Sequence, residues 1–229
     1  MSNLPELTTP VYATDEDILV KASGDFVTLA PSWQCMAKGT DGYFSSGTPW
    51  VLHSTATNFG TNGVTPNQVV LLSGPKSQYP GGGDLLAIDS VSTDGTYLTL
   101  RRPYKDLGIG NPPAPAAGLS GITFAIQTFD PQTASASFDI KRRFGIDENI
   151  TFRDSTWIYD LQDLRMAVVL TVLYDRYTAE LRSDRGDWVR KMGHIRNQRD
   201  EVLDRVQVRW GPYGNSAEPS NIFGCKLSR

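Results

Sequence analysis

The chain holds two histidines, His53 and His194, and two cysteines, Cys35 and Cys225. Imidazoles and thiols are frequent carriers of proton transfer and nucleophilic attack near neutral pH. Here they are scattered through stretches of different character, and each histidine reads as a structural residue, satisfied or exposed. Two cysteines at opposite ends give neither a disulfide framework nor a zinc spacing, so a reducing compartment is the default. No HExxH, phosphate-binding P-loop or G-x-S-x-G occurs. Gly81, Gly82 and Gly83 follow Pro80 rather than a strand, which suits a flexible loop better than a phosphate cradle. Asp15, Glu16 and Asp17 could bind a cation, but acids at a helix start explain them more simply. Asp160 and Asp163 are equally ordinary. Arg185-Gly186-Asp187 matches an adhesion tripeptide, yet between two helices it reads as a turn with Asp187 capping the next helix. Tyr43, Phe44, Trp50, Tyr79, Tyr97 and Tyr104 could line a sugar site; core and loop packing is the simpler reading. The expectation is no enzyme, with no catalytic residue, no cofactor and no metal.

Bulk properties narrow the remaining classes. A chain of 229 residues fits one or two domains and can bury a real core. The net charge of -3 gives no global pull toward nucleic acid. Its distribution is uneven. Residues 1–140 hold 6 Lys/Arg against 12 Asp/Glu, and residues 141–229 hold 16 against 13. An acidic front and a mildly basic back suit packing between subunits. The start, Met1-Ser2-Asn3-Leu4-Pro5-Glu6, lacks the basic and apolar runs of a signal peptide. The longest apolar stretch, Met166 to Leu170 and on through Tyr174, falls far short of the roughly 20 residues needed to cross a bilayer. A soluble protein, with no membrane partner, is expected.

Thr14 with Asp15, Glu16 and Asp17 opens a short helix that Gly24 stops. Residues 25–31 read as extended. From residue 35 to 129, Gly, Pro, Ser, Thr and Asn separate short β-prone runs at 48–52, 68–72, 85–91, 96–101 and 122–129. Asp94-Gly95 between two of these is a hairpin signal, suited to a type I′ turn with positive φ at both central residues. Asp130-Pro131 opens another helix that runs to Gly145. A long helix follows, with Trp157, Leu161, Leu164, Val168 and Val172 on one stripe and Met166, Val169, Leu170, Leu173 and Tyr177 on a second, so its centre is buried on most sides. A break at residues 183–187 leads to a charged helix carrying Trp188, Met192, Ile195, Val202 and Val206. Its basic residues alternate with Asp200, Glu201 and Asp204, unlike a DNA-reading helix, which keeps one face clean of acids. The predicted class is α+β: a helical bundle of one short N-terminal and three C-terminal helices, with an inserted β-rich barrel or sandwich-like module and an extended C-terminal tail. The boundaries are 10–34 and 130–210 for the helical core, 35–129 for the module and 211–229 for the tail. The first helix, too short to fold alone, is expected to dock on the late helices.

Gly211, Pro212, Gly214 and Pro219 keep the tail from being helical. Ordering almost twenty residues costs about 1–2 kcal/mol each. Burying Trp210, Tyr213, Ile222 and Phe223 returns roughly 1.5–3 kcal/mol each. Such a tail gains order only along a partner, helped when several tails act together.

The early acidic helix from Tyr12 to Ile18, the long helix at 164–181, the charged helix at 188–206 and the extended tail together resemble the head-to-tail adaptor (connector) proteins of tailed bacteriophages. The resemblance covers roughly residues 10–30 and 130–229; the β-rich module departs from the minimal all-helical adaptor. It implies a homo-oligomeric ring of about twelve subunits, docked beneath the portal protein and presenting a platform to tail or nozzle proteins. DNA would pass close by in the channel, contacted non-specifically. The protein would reside in the virion neck, and in the host cytoplasm during assembly. The portal-binding residues would be Trp210, Pro212, Tyr213, Ile222, Phe223 and Leu227. The alternative is a receptor- or carbohydrate-binding tail component acting through its β module.

Overall fold

The computed structural model describes residues 11–75, 83–103, 118–146, 161–180 and 186–206. The chain divides into two compact units: Ala13–Gln132, and a second that joins Met1–Tyr12 to Thr133–Arg229.

The first unit is built on a closed barrel. Six strands form it: β1 Cys35–Ser45, β2 Thr48–His53, β3 Val69–Gly74, β4 Asp84–Val91, β5 Tyr97–Arg101 and β6 Ser120–Gln127. Their order around the wall is β1-β2-β5-β4-β3-β6, and β6 closes on β1 with every pairing antiparallel. Closure removes the exposed edges that would otherwise invite strand addition. Alternate residues point inward, among them Phe44, Leu52, Leu72, Leu86, Ile88, Leu98, Ile122, Phe124 and Ile126, each 1% exposed or less. They fill the interior, so this barrel is a packed core rather than a channel. β1 bends round the wall at two glycines. A Cβ on Gly39 would lie 2.7 Å from the Phe124 ring, and one on Gly42 would lie 2.9 Å from the carbonyl oxygen of Ile122. Register shifts in the β1–β6 ladder fall at these positions, as expected where a strand bulges to turn a corner.

Two helices complete this unit, α1 Asp15–Lys21 and α2 Phe26–Leu29. This corrects the expectation of a helical bundle carrying an inserted module: α1 belongs to the barrel unit instead of a bundle with the late helices. The reason lies in its acids. All three are buried, at 1–4% exposed. The Asp15 carboxylate accepts the Phe129 N–H at 2.7 Å. Glu16 takes both terminal nitrogens of Arg101 in a bidentate pair. Asp17 accepts from the Thr14 N–H at 2.9 Å and its hydroxyl at 3.1 Å, the cap expected of that threonine. The Glu16 N–H also donates to the Asn67 carbonyl at 3.1 Å. These partners lie where β5 ends, β6 ends and β3 begins, so α1 covers that rim. Residues 26–29, read as extended, form the short helix α2, whose Phe26 meets Phe129 edge-on at 5.3 Å.

The second unit contains most of α3 Asp130–Phe144, with α4 Leu161–Glu180 and α5 Gly186–Arg205. α3 starts at Asp130 and stops before Gly145, whose φ of +66° ends it. α4 is buried nearly all round its middle at Ala167–Leu170, Val172 and Leu173, as the double stripe predicts, although Leu161 and Met166 are exposed. α4 and α5 form an antiparallel hairpin fastened near both ends. Tyr177 and Trp188 meet edge-on at 5.2 Å near the turn, and Arg205 reaches Asp163 at 3.3 Å near the far end.

Candidate functional site

The residues singled out as chemically able are dispersed. His53 sits on β2 and His194 on α5, in different units. The Cys35 thiol points at the Ala37 carbonyl, 3.5 Å away, in its own strand. Asp187 lies inside the first turn of α5, which begins at Gly186, so it is not the cap that the turn reading assigned to it. Among the described residues no group of three or more His, Cys, Asp or Glu side chains could hold a metal, and no helix is long and apolar enough to cross a membrane. Asp160, Tyr79, Tyr104, Gly81, Gly82, Cys225 and the tail residues Trp210, Pro212, Tyr213, Ile222, Phe223 and Leu227 lie outside the described residues.

Three features of the barrel unit carry polar or aromatic structure. The first is the α1 rim. Asp15 is 1% exposed and its Oδ2 has no hydrogen-bond partner. Burial pushes its carboxyl up to about 7, with the nearby Asp130 adding to the rise. The Phe129 N–H and the Thr128 hydroxyl oppose it only in part. Asp130 in turn accepts from the Gln68 side chain at 2.8 Å.

The second feature is Asp41 on β1, which ties down the loop after β2. It accepts from the Ser54 hydroxyl (2.9 Å), the Thr55 N–H (2.8 Å) and hydroxyl (3.0 Å), and the Ala56 N–H (2.8 Å). Burial works against its charge, but these donors together outweigh it and hold the carboxyl down to about 2. The hairpin after β4 is locked similarly. Gly95 has φ +72°, and among the described residues only Asn67 is a non-glycine with positive φ, so Asp94 does not adopt the type I′ conformation expected of it. Instead Gly95 N–H donates to the Ser92 carbonyl at 2.9 Å, closing a turn that ends in a left-handed glycine. The Asn58 side chain reaches the Asp94 carbonyl at 2.9 Å, and the Phe59 N–H reaches that of Gly95 at 2.8 Å.

The third is a ladder of rings outside the barrel. Tyr43, His53 and Tyr97 are direct cross-strand partners on β1, β2 and β5. Tyr43 and His53 stack at 4.9 Å and 14°, and Tyr97 leans on His53 at 5.4 Å. Of the candidate sugar-site aromatics, the structure brings together Tyr43 and Tyr97. Phe44 is in the core, and Trp50 packs against it beneath Arg102. A sugar needs a free ring face, and here Tyr43 and His53 cover each other. The ladder therefore stiffens the wall. His53 is the rung that sequence reasoning missed, since nothing local announces the β2–β5 pairing.

In the helical unit the relevant feature is the α4–α5 hairpin itself. The Arg199 guanidinium lies 4.6 Å from the Tyr174 ring centre and pairs with Asp200 at 3.0 Å. Burial raises the Asp175 carboxyl; Arg199 opposes that rise and Asp139 of α3 adds to it. The outward face of α5 mixes Arg190, Arg196, Asp200, Glu201 and Asp204.

No family model matches the chain, and no curated protein or solved structure is detectably similar to it.

Proposed function

We propose that the chain is a structural virion protein: a head-to-tail adaptor that forms a ring beneath the portal and extends the DNA channel toward the tail. The observation that carries this reading is the α4–α5 hairpin. Two 20-residue helices, fastened near both ends, make a stiff strut. α5 ends at Arg205, shortly before a segment rich in glycine and proline that carries Ile222 and Phe223. A rigid strut followed by a docking tail suits a joint between two machines. The acidic 1–140 half and the basic 141–229 half suit lateral packing of copies in a ring.

The test is truncation after Trp210. The shortened protein should keep its fold and melting temperature while losing attachment to portal particles in co-sedimentation. Undiminished attachment would show that the joint is held elsewhere, and a complex with only one or two copies would end the ring reading. The alternative, a receptor- or carbohydrate-binding tail component, draws support from Tyr97, which is 38% exposed at the end of the ring ladder. Binding of the whole chain to a glycan array, abolished by Tyr97→Ala, would favour it.

A further inference from the structure

Two helical ridges in the second unit are largely uncovered among the described residues. On α3, Ala134, Phe138 and Arg142 follow at four-residue spacing, and all are exposed. Phe138 leaves 43% of its surface open. On α5, the ridge opposite buried Trp188, Ile195 and Val202 includes Val189, Gly193, Asn197, Asp200 and Asp204. Val189 is 56% exposed. A Cβ built on Gly193 would meet nothing within 4 Å.

Glycine weakens a helix interior relative to alanine, because it loses more freedom on folding. Nothing in the described chain requires the missing side chain at Gly193. An open notch beside an exposed valine, and an exposed phenylalanine on another helix, are complementary in shape. The charges match as well. Arg142 has no ion pair among the described residues, and neither does Glu201 or Asp204. Asp200 is reached by Arg199 at 3.0 Å and Arg196 at 4.0 Å, both in its own helix.

We propose that the α3 ridge of one copy seats on the α5 ridge of the next. Phe138 enters the notch over Gly193 against Val189, and Arg142 and Arg143 meet Asp200, Glu201 and Asp204. With the helices parallel, Arg142 lies about 6 Å beyond Phe138 and Asp200 about 10 Å beyond Gly193. An arginine side chain spans that difference. The contact joins two different faces, so it is heterologous, the kind of contact that builds a ring when its rotation closes and an open filament when it does not. It rests on the ring reading above and adds the surfaces that make the ring.

Disulfide trapping tests it on the full chain in a Cys35→Ser, Cys225→Ser background. One preparation carries Phe138→Cys and another Gly193→Cys. Oxidation of the mixture should give linked dimers that neither preparation forms alone. A chain with both changes should give a ladder of linked species ending in a closed ring. Equal linking by Gly193→Cys alone would mean a two-fold contact and would overturn the proposal. So would absence of links in the mixture. If unlinked wild-type rings still form at that concentration, this contact is wrong and the ring stands. If no oligomer forms in any preparation, both fall.

A charge exchange decides the matter should the cysteine variants misfold. Arg142→Glu with Arg143→Glu should abolish assembly, and Asp200→Arg with Glu201→Arg should restore it. Failure of restoration in a folded protein counts against the contact. Gly193→Ala supplies a sign test. In dilute protein it should raise the melting temperature by about 2 °C, while weakening assembly at least several-fold. Assembly left unchanged would mean that another segment, such as the tail, covers the notch.

Discussion

Replacing Asp15 by asparagine should remove a pH dependence that the barrel unit otherwise carries. The carboxyl is 1% exposed, one of its oxygens lacks a partner, and Asp130 stands close by. Its proton is held up to about 7 in the folded chain, against an ordinary 3.8. At 1.36 kcal/mol per pH unit the full difference is about 4 kcal/mol. The sign follows from the direction. The folded state binds the proton more tightly than the unfolded chain, so this stabilisation is complete below about pH 4 and is lost as pH rises to about 7. From pH 5 to 7.5 the loss is about 3 kcal/mol, equivalent to a fall in melting temperature of roughly 6–12 °C. Asparagine keeps the Oδ1 acceptor for the Phe129 N–H but cannot ionise. Thermal unfolding by circular dichroism, at matched ionic strength, should give a falling curve for the wild type and a nearly flat one for Asp15→Asn. The two should cross, with the variant more stable at pH 8 by up to a few kcal/mol. Parallel curves across this range would refute the reasoning and place the titrating group elsewhere.

Three further outcomes follow from the packing. Arg101→Ala strips Glu16 of its bidentate partner while leaving the carboxylate buried, and should cost about 3 kcal/mol in urea unfolding. Gly95→Ala puts a Cβ 2.2 Å from the Asn58 side-chain oxygen and 2.8 Å from the Gly60 backbone nitrogen at φ +72° and should cost about 2–3 kcal/mol, most of it remaining after a second change, Asn58→Ala. Trp188→Ala opens a cavity against Tyr177 and should cost about 3–5 kcal/mol in the helical unit. Barrel tyrosine signals should stay unchanged in that variant.

The local patterns found five of the six strands, because Val69–Leu72, Leu85–Ile88 and Ile122–Ile126 are apolar enough to stand out. β1 escaped notice because Lys38, Gly39, Thr40, Asp41 and Gly42 break its alternation. Those glycines make sense only once Phe124 and Ile122 are seen opposite them, and that information lies some eighty residues away. The misplaced α1 has the same origin. Its acids look like ordinary helix-start residues until Arg101 and the Phe129 N–H are brought to them by barrel closure. Helix periodicity marked most of what α4 and α5 bury, though it also placed the exposed Leu161 and Met166 on the buried stripes. It is silent about what an exposed Phe138 or an empty position at Gly193 would meet. The tail residues proposed to bind the portal lie outside the described residues, so their placement rests on composition alone.

The strands that close the barrel are its first and its last, with Cys35 opposite Gln127 and the Thr128 N–H bonded to the Gln34 carbonyl at 3.1 Å. Chain entry and exit are therefore side by side. A force applied between these two points would not shear the wall. It would peel β6 from β1 one rung at a time, the weaker of the two loading directions for a sheet. The first resistance such a load meets is not the ladder but Phe129, gripped by Phe26 and by Asp15. A barrel loaded in this way would yield at a threshold set by that small clasp.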